Sequence, residues 1–235
     1  MVRCVLLLAL VLPCLFPRNS FAHREDYIDE TLVFLTLERK SFEPEYWFDA
    51  GRETDAQRDF YRHSVAVEYG ITEHWMLDGR SSFKHETAQA NEFESARLES
   101  RYRFGDEGDR PVDVAVSGEF NVTHFAFAND EYGFEPRLIL SKDIEQMNLT
   151  VNLPVEIPLD HGALSMVPAF GMRYDVSEAF RFGSEVKYDV EQKAGSVMPQ
   201  IWLGFSESLT LKAGYSQNFA HNKERFLRVA LEVEL

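Results

Sequence analysis

The stretch MNLTVNLPVEIPL, residues 147–159, sorts its side chains by twos. Met147, Leu149, Val151, Leu153, Val155, Ile157 and Leu159 fall on one face of an extended chain. Asn148, Thr150, Asn152, Pro154, Glu156 and Pro158 fall on the other. A strand separates the two sets cleanly, whereas a helix would scatter them around its circumference. Pro154 and Pro158 also count against a helix. The same sorting recurs along the chain. Val112, Val114, Val116, Phe120 and Val122 oppose Asp113, Ser117, Glu119, Asn121 and Thr123; Phe180, Phe182, Val186 and Tyr188 oppose Arg181, Glu185, Lys187 and Asp189. Leu227, Val229, Leu231, Val233 and Leu235 oppose Arg228, Glu232 and Glu234. The chain reads as all-β.

The opposite face is repeatedly charged, not merely polar: Arg97, Glu99, Arg101 and Arg103 are consecutive members of one face. Packing such faces into a dry core would bury many ions, each costing several kcal/mol even after relaxation. Turning the apolar face to lipid and the charged face to a wet lumen removes the conflict. That is an antiparallel, transmembrane up-and-down β-barrel.

Glu73, Asp109, Glu145, Glu178 and Glu207 mark turns spaced 36, 36, 33 and 29 residues apart. A transmembrane strand takes about 9–11 residues, so each interval holds two strands, one tight turn and one modest loop. With a further turn at 38–41, six hairpins follow. The twelve expected strands are 43–50, 62–71, 75–85, 92–104, 111–124, 133–141, 146–158, 164–175, 178–190, 196–205, 208–217 and 225–235. The short acidic turns belong on the periplasmic side, where such barrels keep their short connections. Tyr69, Trp75, Tyr102, Phe104, Tyr174, Phe180, Phe182 and Phe205 flank these turns, as an interfacial aromatic girdle should. TLVFLTLE (31–38) is left over. It has three candidate places: the lumen, the mouth of the barrel, or the seam.

The barrel proper is therefore 41–235, preceded by a segment 23–40 that is periplasmic or lumenal and by a signal peptide, 1–22. Arg3, the apolar run VLLLALVL (5–12) and Ser20-Phe21-Ala22 have the order of a secretory signal with its cleavage site. Both cysteines, Cys4 and Cys14, lie inside it, so the mature chain has no disulfide framework. Setting aside Arg3 and Arg18 leaves 22 basic residues against 39 acidic, a net charge of −17. That balance excludes nucleic acid as a partner. No mature stretch approaches 18 apolar residues, so no helix crosses a membrane.

The lumen-lining candidates are Arg97, Glu99, Arg101, Arg103, Glu119, Arg173, Arg181, Glu185, Lys187, Lys212 and Arg228. They support two readings: charged rings that select solutes, or a salt-bridged lumen that stiffens the wall and passes little. The signs are nearly balanced, unlike a dedicated anion track. Twelve strands about 4.8 Å apart and tilted about 40° give a backbone diameter of roughly 24 Å. No catalytic set emerges, because His63 and Ser64 are strand neighbours and face opposite sides. No metal-ligand spacing appears beyond His23 at the expected mature N-terminus, and no cofactor is implied. The acidic run REDYIDE (24–30) reads as solvated.

The signal peptide, the alternating strands and turns such as YGITEHWML and YDVSEAFRF resemble those of Gram-negative outer-membrane β-barrels. The chain is similar to small porin-like transporters grouped with aromatic-degradation pathways. It departs from the pattern at its end, Val233-Glu234-Leu235, where such barrels close on Phe or Trp. The resemblance implies a protein embedded in outer-membrane lipid that is a channel or facilitator for small solutes, and not an enzyme. Alternatives are a lipid-modifying outer-membrane enzyme and a structural or accessory barrel for a partner complex.

Overall fold

A computed structural model describes residues 26–53, 57–86, 92–124, 130–206, 208–220 and 224–235. The expected signal peptide, His23 and the Glu207 turn lie outside them. The strands are β1 (Phe42–Glu53), β2 (Arg58–Thr72), β3 (Trp75–Glu86), β4 (Glu92–Arg103), β5 (Asp113–Thr123), β6 (Glu131–Ile144) and β7 (Met147–Pro154). They continue with β8 (Ile157–Pro158), β9 (Ala169–Ser177), β10 (Phe180–Asp189), β11 (Ala194–Ser206), β12 (Leu209–Ala220) and β13 (Glu224–Val233). Every pairing is antiparallel, and β1–β13 with β5–β6 close the ring. β8 adds only two residues to β6, opposite Gly133 and Phe134, so the wall has twelve strands. Closure leaves no unpaired sheet edge, a condition any sheet must meet in hydrocarbon.

Several expected boundaries move, two of them on either side of one excursion. β7 stops at Pro154, and the strand expected at 164–175 begins at Ala169 and runs to Ser177. The intervening excursion carries Pro158, Gly162 at φ 138° and Pro168; neither proline can donate to a ladder. The turn expected around Asp109 is also longer than a tight turn, spanning 104–112, with Gly105 and Gly108 at positive φ.

The alternation divides outside from inside as the pleat requires. Along β7 the lumenal Asn148, Thr150 and Asn152 are buried, while Leu149, Val151 and Leu153 look outward. On β4, Leu98 and Tyr102 lie half-exposed on the exterior between inward Arg97, Glu99, Arg101 and Arg103. All eight aromatics expected in the girdle are exposed on the outer surface. Tyr61, Tyr132, Tyr188 and Tyr215 are exposed near the other rim.

The barrel has a turn end, where β2–β3, β6–β7 and β9–β10 meet through two residues each, and a loop end. Residues 26–41 are not a wall strand. They enter from the turn end, where Lys40 N–H donates to Gly70 O at 2.7 Å, and fill the lumen to mid-height. Gly70 is required by this passage: a Cβ there would lie 1.9 Å from the carbonyl oxygen of Glu38.

Candidate functional site

The functional site of a barrel is its lumen, and here the lumen holds residues 26–37. Their backbone groups cannot reach a sheet ladder, so wall side chains supply the partners. Ile28 N–H donates to Gln200 Oε1 at 2.7 Å, and Asp29 and Thr31 N–H donate to the Glu185 carboxylate at 2.6 and 3.0 Å. Asn152 takes the N–H of Leu32 and donates to its carbonyl, both at 2.8 Å. Arg101 donates to the carbonyls of Val33 and Leu35, Arg228 to that of Ile28 and Lys212 to that of Asp26.

Apolar seats complete the fit. Ile28 lies among Trp47, Met198 and Ala230; Leu32 and Phe34 lie among Ala115 and Ile139. The Tyr27 ring meets Trp202 edge-on at 5.7 Å, and its hydroxyl donates to Asn148 Oδ1 at 3.0 Å. A Cβ on Gly171 would come within 2.7 Å of that ring, so the wall is carved to admit it.

The acidic run 24–30 is not solvated over its described part, 26–30. Asp26 holds Arg101 bidentately at 2.6 and 3.0 Å; Glu30 holds Arg97 at 2.5 Å; Asp29 lies 3.7 Å from Lys187. In low-dielectric surroundings these are charge-assisted contacts with fixed geometry. The segment's acids meet cations that project from the wall.

Each predicted lumenal residue faces inward, but they are spent on the segment and on one another. Arg101, 1 % exposed, also touches Glu99 at 3.2 Å. Arg97 is 3.8 Å from Glu119, and Arg228 grips Asp49 at 2.7 and 2.8 Å. Arg103 closes the turn mouth through Thr36, the Glu73 carbonyl and Asp106. Arg173 pairs with Asp175 at 2.9 Å beneath Trp202, and Lys212 pairs with Glu232. Glu185 serves the segment's amides, and Arg181 is buried against the lumen. Glu43, Glu45 and Asp49 are lumenal too and fall outside the candidates named from the sequence, although alternation along FEPEYWFD puts them on the lumenal face of β1.

Toward the loop end the lumen holds an ion-pair network and a cavity. Arg62 links Asp49, Glu94 and Glu224, and Lys84 links Glu53 and Glu224. Sharing Glu224 with this network, a cavity of about 440 Å³ opens, with Asp29 of the inserted segment among its lining. Lys187, Asp189, Ser196, Ser216, Asn218 and Glu224 supply its polar lining, and Val167 and Phe226 its apolar lining. No Ser–His pair forms at positions 63 and 64: His63 faces outward against the Tyr46 hydroxyl at 2.5 Å, and Ser64 faces inward against Ser82 at 2.8 Å.

No protein-family model matches the sequence, and no curated protein sequence is significantly similar to it. Solved structures do match. An outer-membrane channel from Pseudomonas putida F1 superposes with a TM-score of 0.63, covering 90% of this chain and 99% of that one at 9% identity. KdgM porin in complex with disordered oligogalacturonate gives 0.61, with 81% and 98% covered at 7% identity. NanC porin gives 0.55, with 81% and 100% covered at 15% identity. The fold is that of outer-membrane porins. At these identities the likeness is one of architecture, and the chemistry must be read from this lumen.

Proposed function

We propose that this chain is an outer-membrane channel for small solutes whose lumen is closed by its own N-terminal segment. The observation that carries the reading is the way that segment is held. It is outside the wall ladder, seated through side-chain hydrogen bonds and ion pairs, so it can shift without opening the sheet. The turn end lies on the periplasmic side, and solutes enter from the loop end into the 440 Å³ cavity that Asp29 helps to line.

The cavity carries both signs of charge, Lys187 against Asp29, Asp189 and Glu224, which gives no track for a polyanion. Phe226 and Val167 offer apolar surface beside the hydroxyls of Ser196 and Ser216. That mixture suits a small aromatic compound bearing a polar group, in keeping with the aromatic-degradation resemblance. Proteoliposome swelling tests this directly. Small hydroxylated aromatics should enter faster than a sugar of similar mass, and Phe226→Ala should reduce the difference. Equal entry of both solutes would discard the aromatic assignment; entry of neither, through the parent and through a chain lacking residues 26–37, would discard the channel.

A further inference from the structure

Four carboxylates converge inside the wall near the turn end. Glu43 and Glu45 sit two residues apart on the lumenal face of β1. The β1–β2 register sets Glu43 opposite Glu68, and the β1–β13 register sets Glu45 opposite Glu232. All four are at least nine-tenths buried. One carboxylate oxygen from each of Glu43, Glu45 and Glu232 lies within 4.8 Å of the other two. Like charges placed directly opposite across a ladder are destabilising, so such an arrangement requires compensation.

The protein compensates half of it. Arg80 donates to Glu45 at 2.8 Å, with Trp47 Nε1 donating to the same oxygen at 2.8 Å, and Lys212 pairs with Glu232. Arg80 is shared further, with Glu30 at 3.6 Å and Asp78 at 3.9 Å. Arg101, the other nearby guanidinium, is held by Asp26 and Glu99. Among the described residues, Glu43 and Glu68 accept no hydrogen bond and form no ion pair, although they are 4 % and 5 % exposed. Beside Glu68, Asp78 (its partner across β2–β3) keeps one buried oxygen without a hydrogen bond. Glu43, buried among Glu45 and Glu232 without a donor of its own, points to a missing positive charge.

We propose that Glu43, Glu45 and Glu232 form a divalent-cation site, with Glu68 beside it across the β1–β2 ladder and Ca²⁺ as its preferred occupant. Carboxylate oxygens are hard ligands, and Ca²⁺ accepts them at about 2.3–2.6 Å in irregular geometry. Arg80 and Trp47 both donate to one oxygen of Glu45, which leaves its other oxygen to the ion. Lys212 also holds the Asp26 carbonyl at 2.9 Å, so the site lies directly beside the anchor of the inserted segment.

The test is calorimetric titration of Ca²⁺ into chelator-treated protein in detergent, with the midpoint of heat-modified gel migration recorded with and without the ion. One site per chain and an upward shift of the midpoint are expected. Glu43→Gln should weaken binding at least tenfold while the barrel still folds, because it removes an unpaired charge and not a partner of Arg80 or Lys212; Glu68→Gln, beside the site, should weaken it less. Terbium emission sensitised through Trp47 gives a second reading at the same place. Absence of binding by the parent would overturn the site, as would binding unchanged in both variants. Midpoints that rise in Glu43→Gln without any response to Ca²⁺ would show that the carboxylates hold protons instead. Binding is measured in detergent and stands or falls independently of conductance.

Discussion

Replacing Leu98 by arginine should cost the barrel about 2–4 kcal/mol or prevent its assembly. Leu98 is near the middle of β4, half-exposed on the outer wall between Gly79 and Phe120 of the neighbouring strands. A guanidinium there must enter hydrocarbon at the greatest depth. Asn218→Lys, whose side chain would enter the loop-end cavity, should be tolerated. Heat-modified migration and the yield of folded protein in vesicles are the measurements. Equal tolerance of both changes would reverse the inside–outside assignment. Asn152 is unsuitable as the lumenal control, because its amide holds both backbone groups of Leu32.

The second large effect concerns the ion pair that anchors the inserted segment. Asp26→Asn leaves Arg101 buried, with Glu99 as its remaining carboxylate at 3.2 Å. Removing one partner of a buried pair costs about 3–5 kcal/mol. The wall ladder does not include residue 26, so the loss falls on seating of the segment and not on the barrel. At about 1.4 kcal/mol per tenfold, the open fraction should rise by two orders of magnitude or more. Single-channel recording reads that fraction. The double change Asp26→Asn with Arg101→Gln should show strong non-additivity, since each change removes the same contact. Additive effects would mean the pair is incidental to closure.

The architecture was legible because period-two alternation survives with few exceptions and places charge where only water or counter-charge is tolerable. Strand number followed from turn spacing. The break after Pro154 was harder to see, since Val155, Ile157 and Leu159 continue the alternation through a region where β7 has ended. The inserted segment was only half visible. TLVFLTLE stood out as surplus, yet its acidic approach looked like an ordinary solvated terminus. A signal was present in the wall itself: Trp47, Ala115, Ile139, Met198, Trp202 and Ala230 are apolar on the lumenal face. Apolar side chains facing a wet pore need a partner, and Tyr27, Ile28, Leu32 and Phe34 are that partner. Alternation alone says which side a residue faces, not what stands opposite it. Long-range pairs such as Asp26 with Arg101 depend on where a non-periodic segment settles, which no local pattern encodes.

The most direct test is the conductance of the chain with and without residues 26–37 in planar bilayers, with heat-modified migration confirming that both fold. The parent should pass little current, in brief openings, and the shortened chain should show a large, steady conductance consistent with a lumen about 24 Å across at the backbone. Equal conductance from two folded barrels would contradict closure by the N-terminal segment.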